Sequence, residues 1–562
     1  MSSAPAIAEV TPHSEPEDGE CSASRDEQLR DEQLPGEASP LDRSQSDRSQ
    51  SARWSRGLVR QHSLAALRGR IINALAMVGS ILVLARVLDP YDFSRFQSLR
   101  VAWTLAGLTA ILGLGSVSLR NLGRLQAQEA PSRAGPTLRT SLRLSLFTQP
   151  AAAVVALVVT YYLGGRFFGE YRNLGFSVLM AAGVLAFATM QYSGEVARGL
   201  GRLDWANLIG GVRGAPLINL VLLLGAVALW LVGAASFTSM VWLFTLGAAA
   251  AALGGGWVVL RALRQPDQPG ATPPQVVETS APAMMRGAWM MGAGAILTFA
   301  AVQFDFLLAP AFLGDDEATA YINARRLVLL FMFPLALVNS TAEGLIAPLF
   351  AGGQTRRLER ALRVGTTCVL LPCLAVAAGS LLLPQLFVRI LLGPGYEAAA
   401  PLYCILLPGH LLLVASGACG LVLQMTGRER WALTTAAIAA AVLLIGGPWV
   451  MKGYGATGLA WLTSAVVGLQ NLANVLLAKR LVGVNCWADP TLMLRPWRLV
   501  EGWRSMQAAK KEARAARRES DAAHAASGVL PVGNAPEQSP DSPPASAASL
   551  GAAALPPRTG DS

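Results

Sequence analysis

Charged residues make up only 15% of this 562-residue chain, against 52% hydrophobic residues. A soluble domain carries about a quarter charged residues, so this shortage, together with a positive mean hydropathy, excludes a soluble globular protein. Histidine is scarcer still: four residues, at 13, 62, 410 and 524. The six cysteines, at 21, 368, 373, 404, 419 and 486, show no C-x-x-C spacing, and four of them sit in apolar runs where a thiol packs as a small hydrophobe. The expectation is therefore no disulfide, no metal centre and no cofactor. The first 57 residues contain no apolar h-region, which argues against a cleavable signal peptide. No outward loop is longer than about twenty residues, and the acidic cluster Asp315-Asp316-Glu317 has no histidine beside it. That leaves little room for the catalytic domain of a membrane glycosyltransferase or polymerase, and the chain reads as a non-enzyme. The net charge of +10 would suggest nucleic acid in a soluble protein. Here the excess lies in short loops and tails beside apolar runs, where it sets topology, so no nucleic-acid partner is expected.

What is present in quantity is apolar sequence. The run from Ile71 to Leu88 is long enough to cross the ~30 Å hydrocarbon core, and it ends in the acidic, proline-containing turn DPYDF, followed by SRFQSLR. A related order of features returns about 225 residues later in FLLAPAFLGDDEATAYINARR, which sets Leu313 over Leu88, Asp316 over Tyr91, Glu317 over Asp92 and Arg325 over Arg100. A second echo, G-R-x-x-W-A at 201–206 and again at 427–432, has an offset of 226. Two echoes at nearly one offset indicate a duplicated unit.

Twelve spans are expected, at 70–88, 99–119, 142–163, 174–196, 208–232, 237–262, 287–310, 326–350, 364–386, 400–425, 431–451 and 456–478. With the N-terminus inside, the cytoplasmic loops hold sixteen arginines, and the opposite loops hold eight basic residues: Arg95, Arg100, Arg166, Arg172, Arg325, Arg326, Arg389 and Lys452. This bias places both termini in the cytoplasm and gives the two halves one orientation. The fold class is thus an all-α integral membrane protein of two parallel-repeat six-helix lobes. Residues 1–57 read as a disordered tail, 58–262 as the first lobe, 263–286 as a Pro/Gln-rich cytoplasmic linker and 287–482 as the second lobe. Residues 483–524 form a basic juxtamembrane segment, with Trp497 and Trp503, suited to the anionic inner leaflet, and 525–562 a disordered tail.

The turn LARVLDPYDFSRF, the two G-R-x-x-W-A turns, the segment LLGPGYEAAAPLYCILL at 391–407 and the run YGATGLAWLTS at 454–464 together resemble the polysaccharide-flippase branch of the multidrug/oligosaccharidyl-lipid/polysaccharide exporter superfamily. The O-antigen and exopolysaccharide flippases form that branch, and the lipid II flippases are cousins. The resemblance covers residues 58 to 482, and it rests on the order and spacing of loose motifs. It implies two lobes facing each other in a V around a cavity that opens alternately to each side. The implied substrate is a sugar chain on a polyprenyl pyrophosphate, a polysaccharide polymerase would be a partner, and the location would be a bacterial inner membrane.

Flipping such a lipid breaks no bond; it needs a polar path for the head group. A charge at the centre of a membrane span costs about 2.5–3.5 kcal/mol on insertion scales, so charged residues inside spans are candidates by default. They are Arg86, Glu195, Arg213, Asp305 and Glu343. Gln191, Glu195 and Arg198 share one helical stripe, where Glu195 and Arg198 could equally pair with each other; Asn339 stands one turn before Glu343. Arg213 is the first choice for a pyrophosphate, because a guanidinium can donate two parallel hydrogen bonds, with Arg86 second; each could instead snorkel to the nearer surface. Gln191, Glu195 and Asn339 join them as substrate-binding candidates. Asp305 and Glu343 could take up H⁺ or Na⁺ and couple the cycle to an ion gradient, bind sugar hydroxyls or pair with a base. A cation-coupled multidrug efflux pump on the same scaffold is the alternative: it would show a carboxylate-dominated cavity, whereas a pyrophosphate carrier would show net arginine.

Overall fold

A computed structural model describes residues 73, 75–127, 134–164, 173–210, 215–264, 280–351, 353–489 and 491. Both tails, most of the linker and Arg213 lie outside the described residues. Among the described residues every regular element is a helix. Seven helices are long and apolar enough to cross a membrane, and the last of these, Glu429–Leu481, is two helices joined at Gly455, whose φ of 58 lies outside the helical region. An eighth is the pair α2 (Pro90–Ile111) and α3 (Leu114–Ala127), which meet at 56°.

The first half continues from the short apolar α1 (Leu75–Val87) through α2 and α3 to α4 (Ala134–Leu163), α5 (Leu174–Gly199), α6 (Leu203–Ile209), α7 (Pro216–Leu231) and α8 (Phe237–Leu263). The second half runs α9 (Ala281–Gln303), α10 (Asp305–Phe312), α11 (Asp315–Leu329), α12 (Met332–Ala351), α13 (Thr355–Leu382), α14 (Pro384–Leu391), α15 (Ala399–Ser416), α16 (Cys419–Met425), α17 (Glu429–Ala441) and, after a π-turn, α18 (Gly447–Leu481). Helices overlap the expected spans, and among the described residues seven of them, or eight with the bent pair, are long and apolar enough to cross.

The echo seen in sequence reappears as geometry. Helix α2 starts after Asp89, whose carboxylate accepts from the Asp92 N–H, and α11 starts after Gly314, 225 residues later. The two G-R-x-x-W-A turns have one backbone form. Gly201 and Gly427 take φ of 71 and 76, and the N–H of the following arginine bonds back to a carbonyl five residues earlier, Arg202 to Ala197 and Arg428 to Leu423, at 2.9 Å each. That is a helix stop whose left-handed residue favours glycine, so the motif is fixed by backbone need.

Within the first half, Trp103 stacks flat on Phe244 with centroids 4.4 Å apart, and its indole N–H donates to the Met180 carbonyl at 3.2 Å. Within the second, α15 packs against α18 so closely that a Cβ on Gly409 would stand 2.2 Å from the Ser464 carbonyl oxygen. Neither backbone can yield that distance, so Gly409→Ala separates the helices. Loss of the monodisperse peak in fluorescence-detected size-exclusion chromatography is the expected result; a wild-type elution profile would disprove the contact.

The chain does not leave the bundle at the end of α18. After Gly483 an extended piece lays Val484, Cys486 and Ala488 inward with no exposure. The Ala488 N–H bonds to the Ala415 carbonyl at 3.1 Å, beside the α15–α16 break, and the Asp489 N–H bonds to Thr367 Oγ1 at 2.8 Å. A broken helix leaves carbonyls without donors, and this strap supplies one.

The halves meet where α11 packs on α2 and where α9 packs on α2 and α3. Ser94 and Thr319, which the 225-residue offset makes equivalent, touch through their hydroxyls at 3.2 Å. Around them the Tyr91 hydroxyl donates to Asp315 at 2.9 Å, Asn323 Nδ2 donates to the Pro90 carbonyl at 3.2 Å and Ser98 donates to the Phe306 carbonyl at 3.1 Å. Equivalent residues meeting each other is the signature of a pseudo-two-fold contact. At the α2–α3 bend, Gly113 (φ 80) lies against Ala288 and Gly292 of α9, where a Cβ would come within 2.3 Å of the Ala288 oxygen.

Candidate functional site

One turn or two beyond that contact the same pair of helices carries three guanidinium groups. Arg100 and Arg325 stand ten residues into α2 and α11. At 1.5 Å per residue this is about 15 Å, half the ~30 Å thickness of a bilayer core. Arg100, Arg325 and Arg326 were each counted from sequence among the outward loop charges. The structure places all three within helices, Arg325 and Arg326 buried and Arg100 half-buried. Removing them from the outward loops leaves five basic residues there against sixteen on the other side, which sharpens the topological bias.

The three are held differently. Arg325 is fully engaged: Nε donates to Asp305 Oδ2 at 2.6 Å, Nη1 to His410 Nε2 at 2.7 Å and Nη2 to the Val302 carbonyl at 2.7 Å. Because a guanidinium only donates, His410 accepts through Nε2, and its proton sits on Nδ1, which donates to the Leu406 carbonyl at 2.9 Å. The ring is therefore neutral. The Tyr321 hydroxyl donates to the same Asp305 oxygen at 2.7 Å and accepts from Thr463 at 2.9 Å. Asp305 Oδ1 is buried with no partner. This is a closed network across α10, α11, α15 and α18, and its charges cancel.

Arg326 and Arg100 have no carboxylate partner among the described residues. Arg326 reaches across to the first half and gives Nε, at 2.8 Å, and Nη2 to a single acceptor, Gln97 Oε1. Arg100 Nη2 donates to Asn219 Oδ1 at 3.1 Å, and Asn219 Nδ2 donates onward to Asn73 at 3.3 Å. Phe306 offers its ring face to Arg325 and Arg326 at 5.9 and 5.5 Å, and Phe244 lies 5.9 Å from Arg100. Gln97 Nε2 and Arg100 Nη1 are buried donors with no partner among the described residues. Two positive charges and two empty donors thus converge at the junction of the halves, a setting that accepts an anionic oxygen.

The candidates named from sequence lie elsewhere or in other roles. Arg86 is exposed in the last turn of α1 and donates to the Ile390 carbonyl at 2.5 Å. Gln191 is buried on α5 beside Gly107, with Oε1 unpartnered. Glu195, one turn on, is buried and pairs with Arg198 at 2.6 Å, the simpler of its two readings. On α12 Asn339 and Glu343 are half-buried, and Asn339 Oδ1 has no partner. Asp305 binds Tyr321 and Arg325 and is not a free carboxylate. Sequence reading passed over Arg100, Arg325 and Arg326 because the span boundaries were drawn at 99 and 326. The signal was there, since the repeat itself aligned Arg100 with Arg325. A lone His410 inside LLPGHLLL, the only histidine in an apolar run, was a second.

Bundles of apolar helices in two halves that meet at a buried cationic junction have the architecture of a multi-pass membrane protein. The solved structures make this specific: the chain has the fold of the MOP-superfamily transporters. It is similar to an inward-facing multidrug resistance MATE family transporter of that superfamily, with a TM-score of 0.58 at 12% identity over 75% of this chain and 98% of the other. It is similar to a MOP superfamily transporter from Pyrococcus furiosus whose binding pocket is described as reversed in polarity (TM-score 0.53, 15% identity, 75% and 94% of the two chains). The lipid II flippase MurJ, in an inward closed conformation, matches with a TM-score of 0.53 at 11% identity over 75% and 87%. No family model matches the sequence, and no curated protein does either.

Proposed function

We propose that the protein is a flippase that moves a lipid-linked oligosaccharide, a glycan on a polyprenyl pyrophosphate, across the bacterial cytoplasmic membrane by alternating access, with both termini in the cytoplasm. The observation that carries this reading is the excess of guanidinium at the junction: Arg100, Arg325 and Arg326 against the single ion-paired carboxylate of Asp305 among the described residues. A diphosphate carries its charge on oxygens that forked N–H donors match in geometry, and the glycan is left to polar side chains while the polyprenyl tail stays in lipid. The O-antigen or exopolysaccharide pathway, a polymerase partner and coupling to H⁺ or Na⁺ through Asp305 or Glu343 belong to the same proposal.

Cation-coupled multidrug efflux is the second reading. It is favoured by the buried Glu195 on α5 and by a likeness to a multidrug MATE transporter, at a TM-score of 0.58 against 0.53 for MurJ. The test is a deletion strain complemented by wild type and by Arg326→Ala. Under the flippase reading the deletion accumulates an undecaprenyl-linked glycan on the inner face, wild type clears it, and Arg326→Ala clears it at least tenfold more slowly. Normal glycan export with altered drug sensitivity would give the second reading the field.

A further inference from the structure

Resting on the anion-carrier reading, we infer that Gln97 and Asn219 are specificity-determining residues: amides that aim the Arg326 and Arg100 guanidinium groups without cancelling their charge, and so fix the site for a substrate bearing two negative charges.

Two buried arginines and a half-buried one are held by three different acceptors, and the difference is one of charge. Arg325 has a carboxylate, at 2.6 Å from Asp305, and is neutralised. Arg326 has the Gln97 amide oxygen, and Arg100 has that of Asn219 at 3.1 Å. The amide orientations are fixed by their neighbours. Gln97 Oε1 takes two N–H donors from Arg326, and Asn219 must turn its oxygen to Arg100 because its nitrogen donates to Asn73 Oδ1. A glutamate at 97 or an aspartate at 219 would make the stronger, charge-assisted bond in the same space. Holding two cations with amides is therefore the weaker structural choice, and it leaves two full charges for a ligand. The donors turned away from these bonds are the unpartnered ones, Gln97 Nε2 and Arg100 Nη1. Gln97 is fully buried, so its empty nitrogen has no solvent to satisfy it.

The substrate class follows by counting charge. Two uncompensated guanidiniums match a pyrophosphate diester, with one negative charge on each phosphate, better than a single phosphodiester or a sugar carboxylate. A neutral or cationic ligand would meet repulsion or gain nothing.

The test compares full-length wild type with Gln97→Glu, Gln97→Ala, Asn219→Asp and Arg326→Ala in nanodiscs, using farnesyl diphospho-N-acetylglucosamine, a pyrophosphate diester with two negative charges, as the probe and farnesyl phospho-N-acetylglucosamine, a phosphodiester with one, as the control. Two quantities are read: probe affinity and the melting temperature without probe. The expected result is that wild type prefers the pyrophosphate, that Gln97→Glu and Asn219→Asp each weaken it on the order of a hundredfold, and that Gln97→Ala weakens it about tenfold or less. Gln97→Glu should at the same time melt higher than wild type, because Arg326 gains an ion pair. A residue with a merely structural role would move both quantities the same way. If Gln97→Glu and Asn219→Asp bind as wild type does while Arg326→Ala fails to bind, the inference about the amides is overturned and the anion-carrier reading stands. If wild type binds neither probe and Arg326→Ala exports glycan normally, that reading falls and takes this one with it.

Discussion

Asp305→Ala should destabilise the protein by about 3–5 kcal/mol. The reason is what stays behind. Arg325 is 1% exposed, with Asp305 as its only carboxylate partner among the described residues, and its remaining acceptors are His410 Nε2 and one backbone carbonyl. Removing the carboxylate leaves a full positive charge in the bundle and deprives the Tyr321 hydroxyl of its acceptor. Replacing both partners by apolar residues of similar size, Asp305→Leu with Arg325→Met, removes the charge as well as the bond and should recover most of the loss. Thermal melting in detergent, followed by tryptophan fluorescence, distinguishes the cases. A single variant that melts like wild type, or a double variant that melts lower than the single, would show that the ion pair does not brace α10 against α11.

A covalent link between positions 94 and 319 stops transport. The Ser94 and Thr319 hydroxyls are 3.2 Å apart at the pseudo-two-fold contact, close enough for two introduced cysteines to form a disulfide. Three further polar bonds join the halves at the α1–α2 end: Tyr91 to Asp315, Tyr396 to the Leu88 carbonyl and Asn323 to the Pro90 carbonyl. If the halves rock, these bonds must break for this end to open. In a background without the native cysteines, Ser94→Cys with Thr319→Cys should cross-link on oxidation, lose at least nine-tenths of its export and regain it with reductant, while each single variant works throughout. Full export by a quantitatively cross-linked protein would mean that this end never opens.

The fold was readable because membrane insertion makes its demands locally. A span must be apolar for about twenty residues, and arginine clusters mark the turns, so helix count, orientation and repeat could all be argued from runs and loops. The site was harder for the same reason. Arg100 sits where SRFQSLR gives way to an apolar run, and Arg325 and Arg326 sit at the start of another. Hydropathy cuts such residues off from the span, whereas in the folded protein α2 begins at Pro90 and α11 at Asp315, ten residues earlier. Charged first turns therefore hid the true helix starts. Arg86 drew attention as a charge inside an apolar run, and it proves to be exposed in the last turn of α1. Partner choice is not local either. Nothing in the sequence near Gln97 announces Arg326, 229 residues away, and only folding sets an amide rather than a carboxylate against it.

The inward-turned residues after Gly483 have a bearing on where this protein ends as a physical object. Val484, Cys486 and Ala488 fill gaps between α13, α16 and α18, and Asp489 is tied to Arg363 at 3.4 Å. The hydrophobic interior is thus sealed by a stretch that follows the final membrane crossing, seven residues past the point where hydropathy alone would close the second lobe. A pull on the chain beyond Asp489 bears on this seal, and through the Ala488 to Ala415 bond on the helix that carries His410.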